Sequence, residues 1–110
     1  MIVKSVRDGA AVTLTLSGCD TIDAANAAEV KREALLLVGE AQNVLLDLSG
    51  IDFLDSAGVG VLVGLFKQAR ARGGRARLCG LTPGVRYTLE LIQLDRIFEI
   101  SEGVEAPGRP

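Results

Sequence analysis

The sequence predicts a single α/β domain in which a mixed sheet of four to five strands is covered by helices. Three observations support this fold class. Apolar and polar residues alternate on both sides of a glycine-containing turn near the N-terminus, which predicts a β-hairpin. Helical and strand-like segments then alternate, giving the order β-β-α-β-α-β-α with a short final strand as an option. Hydrophobic residues make up 48% of the 110-residue chain, which is enough for one core.

The N-terminal hairpin occupies residues 2–7 and 11–17. The turn between these two segments contains Gly9, which adopts turn conformations at little steric cost. A loop is expected to follow over residues 18–23 and to lead to the first helix.

The middle of the chain predicts this helix and then a buried strand. Asn26 and Glu29 have the spacing of a capping box, with Asn in place of the usual Ser or Thr. Apolar residues recur at helical spacing from there to Gly39, which is expected to end the helix. Residues 44–48 form an apolar run broken only by Asp47, and this pattern predicts a strand buried on both faces.

A second helix is predicted to begin at Asp55 or Ser56, since either side chain can cap its amino end. Cations near its carboxyl end, followed by Gly73, complete the pattern. At about 100° per residue, one arc faces the sheet and another is left for a partner. The first arc consists of Val61, Leu62, Leu65, Phe66 and Ala69, and the second of Ser56, Val59, Gly60, Val63, Lys67 and Arg70.

The C-terminal part predicts a strand over residues 75–79 and a third helix. Thr82 can cap this helix, and Pro83 suits its first position. The residues expected on its buried face are Val85, Leu89 and Ile92.

One domain is predicted over residues 1–103. Near its end, the apolar residues between 97 and 100 suit a last short strand or an apolar clasp. Residues 104–110 are expected to form a flexible tail.

Composition and charge exclude several classes of partner. The net charge of −2 offers no positive field for a polyanion, so no nucleic acid is expected to bind. No apolar stretch approaches the roughly 20 residues of a membrane span, and direct membrane insertion is not expected. The expected location is the cytoplasm. Cys19 and Cys79 belong to no metal or redox motif and are expected to be small buried apolar residues.

The setting of Ser56 allows several chemical interpretations, of which serine hydrolysis and dinucleotide binding are disfavoured. Leu54 stands where a Gly-x-Ser-x-Gly motif needs its first glycine, and the chain contains no histidine to act as a base. Gly58, Gly60 and Gly64 have the spacing G-x-G-x-x-x-G, which is not that of a dinucleotide site. These glycines are better explained by close packing of a helix.

A metal site formed by Asp47, Asp52 and Asp55 is a third interpretation, because the three carboxylates follow one strand. Each also has a structural explanation, since Asp47 can bind loop amides, Asp52 can shape a turn and Asp55 can cap a helix. Neither a metal nor a cofactor is predicted. Binding of a small anion at the amino end of the Ser56 helix stays open, as does a phosphorylation switch on Ser56.

Nearly the whole chain resembles the STAS domain of anti-sigma factor antagonists. Its most specific element is Asp55-Ser56-Ala57-Gly58 after a buried strand. One departure is a longer loop between Gly18 and Ile22. The matching segments are residues 22–26, 44–49, 53–60, 83–85 and 94–98.

The resemblance implies that the protein is not an enzyme but a substrate and binding partner. It implies that an anti-sigma factor serine kinase phosphorylates Ser56. Only the unphosphorylated protein is then expected to bind this kinase, which frees a sigma factor. A PP2C-type phosphatase is expected to remove the phosphate. The alternative is a constitutive subunit or scaffold of a transporter or stressosome-like assembly, in which Ser56 is only a helix cap. The partner-binding residues predicted with the resemblance are Asp23, Asn26, Asp55, Ser56, Val59, Gly60, Val63 and Lys67.

Overall fold

The computed structural model describes residues 2–101, and the predicted tail at residues 104–110 lies outside this range. Seven strands and three α-helices form within the described part of the chain. In chain order the elements are β1 (Ile2–Asp8), β2 (Ala11–Ser17), β3 (Thr21–Ile22), α1 (Ala27–Val38), β4 (Asn43–Asp47), β5 (Phe53–Leu54), α2 (Ser56–Ala71), β6 (Ala76–Cys79), α3 (Pro83–Leu91), a 3₁₀ helix (Leu94–Arg96) and β7 (Glu99–Ser101).

The five longer strands form one mixed sheet in the order β1-β2-β4-β6-β7. Strand β1 pairs with β2 as the predicted antiparallel hairpin, and the remaining neighbours are parallel. The parallel pairs are joined through α1, α2 and α3, since a parallel connection needs a crossover. The predicted fold class is therefore confirmed, with the optional last strand present as β7.

The helices pack on one face of this sheet. Leu14, Leu46 and Leu78 are in register on β2, β4 and β6, and all three are buried in the core. On the opposite face, their neighbours Leu45 and Arg77 are only half-buried. The prediction that β4 is buried on both faces is therefore met fully on the helix side and only partly on the other, where Asp47 is buried but Leu45 is half-buried. A short apolar run does not reveal how far each row of side chains is covered.

Helix α1 begins without the predicted capping box. The Asn26 side chain makes no cap hydrogen bond to α1. Its Oδ1 accepts from the Asp23 amide at 3.0 Å, and its Nδ2 donates to the Thr21 carbonyl at 2.9 Å. Asn26 therefore braces the preceding loop, because a local bond to the loop competes with the cap.

Two further expectations of burial are wrong. Ile92 lies just beyond the end of α3 and is 46% exposed, because the backbone leaves the helix before this residue can continue the buried face. Val85 and Leu89 are buried on that face as predicted. Cys19 is exposed in the loop after β2, whereas Cys79 is buried in β6.

A second, two-stranded sheet lies where only a loop was predicted. Strands β3 and β5 pair in parallel, with Thr21 beside Phe53 and Ile22 beside Leu54. Ile22 and Leu54 are buried. Because β5 leads directly into α2, this small sheet places the start of α2 beside the start of α1.

Candidate functional site

Ser56 is the first residue of α2 and is exposed. The helix cap is made by its neighbour: Asp55 has an extended backbone, and its Oδ1 accepts from the Gly58 amide at 3.0 Å. This bond satisfies one of the free amides at a helix start. The Ser56 hydroxyl is therefore not needed to cap α2 and is accessible to another protein.

Asp55 also ties α2 to the loop before α1. Its Oδ2 accepts from the Ala24 amide at 3.1 Å, while its own amide donates to the Ile22 carbonyl at 3.3 Å. One carboxylate therefore holds two segments far apart in sequence. Charge-assisted bonds of this kind are stronger than neutral ones, so Asp55 fixes the loop relative to Ser56.

The loop over residues 23–26 is ordered by its own polar groups. Asp23 is half-buried, and its Oδ1 accepts from the Ala25 amide at 2.9 Å. The Asp23 carbonyl accepts from the amides of Asn26 and Ala27. Asp23, Asn26, Asp55 and Ser56, which are predicted site residues, are thus brought together at one end of the molecule.

Gly58 allows this close approach. A Cβ atom at Gly58 would overlap the Ile22 carbonyl of β3, so the first turn of α2 can lie against β3 only with glycine there. Gly64 is covered by the aliphatic end of Lys31 from α1, with Cε at 2.7 Å from the position of an added Cβ. Gly60 differs, since it has no such neighbour within 4 Å. Close packing on backbone thus accounts for Gly58, whereas the flexible end of Lys31 could move away from a side chain at position 64.

The other predicted partner residues extend from Ser56 along α2. Gly60 and Lys67 are exposed, and Val63 is half-buried. Val59 packs partly against the hydrophobic core and offers less of its side chain to a partner. Lys67 is eleven residues beyond Ser56, about 16 Å along a helix at 1.5 Å per residue, so it shares the face but not the immediate surroundings of the serine.

Asp47 and Asp52, the other two carboxylates considered for a metal site, do not join Asp55 in one cluster. Asp47 is buried at the end of β4, where its Oδ1 accepts from the Ser49 amide at 2.9 Å. Asp52 is exposed immediately before β5. Within residues 2–101, no group of three or more His, Cys, Asp or Glu side chains could hold a metal ion.

Sequence reasoning missed the β3–β5 pairing and with it the amide of Ala24 as a partner of Asp55. A signal was present, because residues 20–23 and 52–55 both have the pattern Asp-x-apolar-Asp. The middle residues of the two segments pair in register, the Asp52 amide donates to the Asp20 carbonyl, and the Asp55 amide donates to the Ile22 carbonyl. A repeated tetrapeptide could have suggested this pairing.

A protein-family model described as the STAS domain matches residues 1–106. This chain belongs to the STAS domain family. A similar relative is the anti-sigma-B factor antagonist of Listeria monocytogenes, which is 38% identical over 81 residues and covers 72% of this STAS domain and 70% of its own length.

Solved structures share the fold of this STAS domain. The crystal structure of TM1081 from Thermotoga maritima has a TM-score of 0.78 at 26% identity, covering 92% of this chain and 86% of its own. The unphosphorylated anti-sigma factor antagonist SpoIIAA has a TM-score of 0.74 at 18% identity, covering 91% and 88%, and thus supports the fold alone. Among the helices described for this STAS domain, none has the length and apolar character of a membrane span.

Proposed function

We propose that this STAS domain is an anti-sigma factor antagonist controlled by phosphorylation of Ser56. In its unphosphorylated form it binds an anti-sigma factor serine kinase, and phosphorylation ends this binding. The observation that carries the proposal is the exposed hydroxyl of Ser56 beside an aspartate that caps the helix by itself. A serine that served only as a helix cap, as in the scaffold alternative, would make this bond instead.

The name of the Listeria relative supports the same role, and a neighbour in fold shows that this fold accepts a phosphate. The Listeria protein is an anti-sigma-B factor antagonist, and Bacillus SpoIIAA has been solved in both phosphorylated and unphosphorylated forms. A fold that accepts a phosphate in one relative is a suitable host for the same modification here. The proposal adds the kinase as the partner and a PP2C-type phosphatase as the enzyme that restores the active form.

The chemistry of the switch belongs to the partner. The kinase transfers the γ-phosphoryl group of its ATP to the Ser56 oxygen. A new O–P bond forms as the β–γ anhydride bond breaks, and ADP leaves. A base on the kinase takes the proton of the Ser56 hydroxyl. This STAS domain then acts as a substrate in the cytoplasm. It needs no metal, cofactor or nucleic acid of its own.

The helix face explains why a phosphate would end binding. Phosphate adds about −1.5 to −2 charges at neutral pH, at one end of a face formed by Gly60, Val63 and Lys67. A partner packed on this face would have to desolvate that charge, and the carboxylates of Asp23 and Asp55 add like charge next to it. The two effects act in the same direction and oppose contact.

Phosphosite mapping tests the assignment. The purified cognate kinase and ATP should modify wild-type protein and leave Ser56→Ala unmodified. Ser49→Ala is the matched control, because Ser49 is also an exposed serine after a buried strand, and its variant should be modified like wild type. Stoichiometric phosphorylation of the Ser56→Ala variant would contradict the proposal.

A further inference from the structure

Three large apolar side chains are exposed on β5 and α3, two elements that contact each other. Phe53 is 50% exposed, Tyr87 65% and Leu91 67%. We call these three residues the β5–α3 strip. Exposed apolar residues are ordinary when scattered, but a group of them beside a functional site points to a binding surface.

Contacts between α3 and the end of the β4–β5 connection place the three side chains along one seam. The Thr82 hydroxyl donates to the Ile51 carbonyl at 2.6 Å, and Gly84 packs directly on the Asp52 carbonyl. Tyr87 and Leu91 follow Gly84 by three and seven residues, which puts them on the same side of α3, within about 60° of one another. Phe53 follows Asp52 on the other side of the seam.

Three exposed carboxylates lie on or next to the elements that carry the strip, and one exposed cation, Arg96, lies on the 3₁₀ helix after α3. Asp52 and Asp20 are exposed and adjacent, because the Asp52 amide donates to the Asp20 carbonyl at 2.6 Å. Glu90 is exposed next to Leu91. The nearest cation on α3, Arg86, is half-buried and about 100° around the helix from Tyr87. A complementary partner would therefore present apolar side chains flanked by Lys or Arg.

A partner that contacts Ser56 over an area of the usual size would also reach Phe53, the residue of the strip that is nearest to Ser56 in sequence. A standard interface covers about 800 Å² on each protein, which corresponds to a disc of about 16 Å radius. Phe53 is three residues before Ser56 and at most about 11 Å away along the chain. The α2 face alone has limited apolar surface, since Gly60 has no side chain, Val59 packs partly on the core and Val63 is half-buried. Aromatic residues, by contrast, are common hot spots.

We propose that the β5–α3 strip is a docking anchor for the same serine kinase, which holds it with an apolar segment flanked by basic residues. This inference rests on the proposed function, since it names a second contact of that kinase. The residues of the β5–α3 strip are separate from the Ser56 hydroxyl, which receives the phosphate. The anchor contributes equally to ground-state and transition-state binding, so its loss raises KM for Ser56 phosphorylation and leaves kcat unchanged.

Steady-state phosphorylation of purified variants by the cognate kinase tests the anchor. Tyr87→Ser and Leu91→Ser should each raise KM about tenfold at constant kcat. Leu36→Ser is the matched control, because Leu36 is 75% exposed on α1 and its variant should keep the wild-type KM. Asp52→Lys should also raise KM, whereas Asp8→Lys, in the hairpin at the far end of the sheet, should not.

Each result decides between the anchor and the switch. Wild-type values of KM for both Tyr87→Ser and Leu91→Ser would overturn the anchor while leaving Ser56 phosphorylation intact. Failure of the kinase to modify wild-type Ser56 would overturn both proposals. If light scattering shows wild type as a dimer, and Tyr87→Ser as a monomer with unchanged KM, the strip joins two copies of this chain and the anchor is wrong.

Discussion

Gly58 and Gly60 are two residues apart in α2 and have opposite surroundings. A methyl group at Gly58 would meet the Ile22 carbonyl, whereas a methyl group at Gly60 would meet nothing within 4 Å. Gly58→Ala should therefore lower the free energy of unfolding by about 1–3 kcal/mol through overpacking. Gly60→Ala should raise it by about 0.5–1 kcal/mol, because alanine is the better helix former. Urea denaturation measures both, and equal effects would contradict the close packing of α2 on β3.

Asp55 and Ser56 give a second matched pair at the scale of single residues. Asp55→Ala removes the bonds to the Gly58 and Ala24 amides and should cost about 1–2 kcal/mol of stability. Ser56→Ala should leave the melting temperature nearly unchanged, because the hydroxyl is not the cap. Thermal melts followed by circular dichroism decide the point. If Ser56→Ala is as unstable as Asp55→Ala, the serine caps the helix and the scaffold alternative gains support.

At the scale of elements, the two sides of α2 should respond differently to the same charge. Leu62 is fully buried, and Leu62→Asp should unfold the domain or cost more than about 4 kcal/mol. Val63 is half-buried about 100° around the helix from Leu62, on the Ser56 face, and Val63→Asp should fold but bind the kinase at least about tenfold more weakly. Circular dichroism and calorimetry separate the outcomes. A folded Val63→Asp variant with wild-type affinity would mean that the kinase docks elsewhere.

The regular elements were predictable from sequence, because their signals are local. The hairpin and three helices follow from periodicity, β4 follows from a continuous apolar run, and the Thr82 cap was predicted as observed. The β3–β5 pairing was not, since two-residue strands have no periodicity and depend on contacts between segments about 30 residues apart. The wrong prediction of a capping box at Asn26 has the same cause. The Asn26 side chain bonds to Thr21 and Asp23, and the sequence pattern does not reveal whether it will bond to this loop or to the first amides of α1.

At the scale of the whole molecule, phosphorylation should leave the fold intact. An anion at a helix start is favoured by about 0.3–1 kcal/mol, and the like charges of Asp55 and Asp23 oppose this gain. Because the two effects are similar in size, the melting temperature of the Ser56-phosphorylated protein should change by only a few degrees. Differential scanning calorimetry measures the change. A fall of more than about 10 °C would indicate that the switch acts through unfolding.

The affinity of the cognate kinase for the two forms of this STAS domain tests the central claim most directly. Isothermal titration calorimetry should give a Kd at least about 100-fold weaker for the Ser56-phosphorylated protein than for the unphosphorylated protein, because the phosphate must be desolvated in the interface. Ser56→Ala should bind like the unphosphorylated form. Equal Kd values for the phosphorylated and unphosphorylated proteins would contradict the account, since Ser56 would then not control the partner.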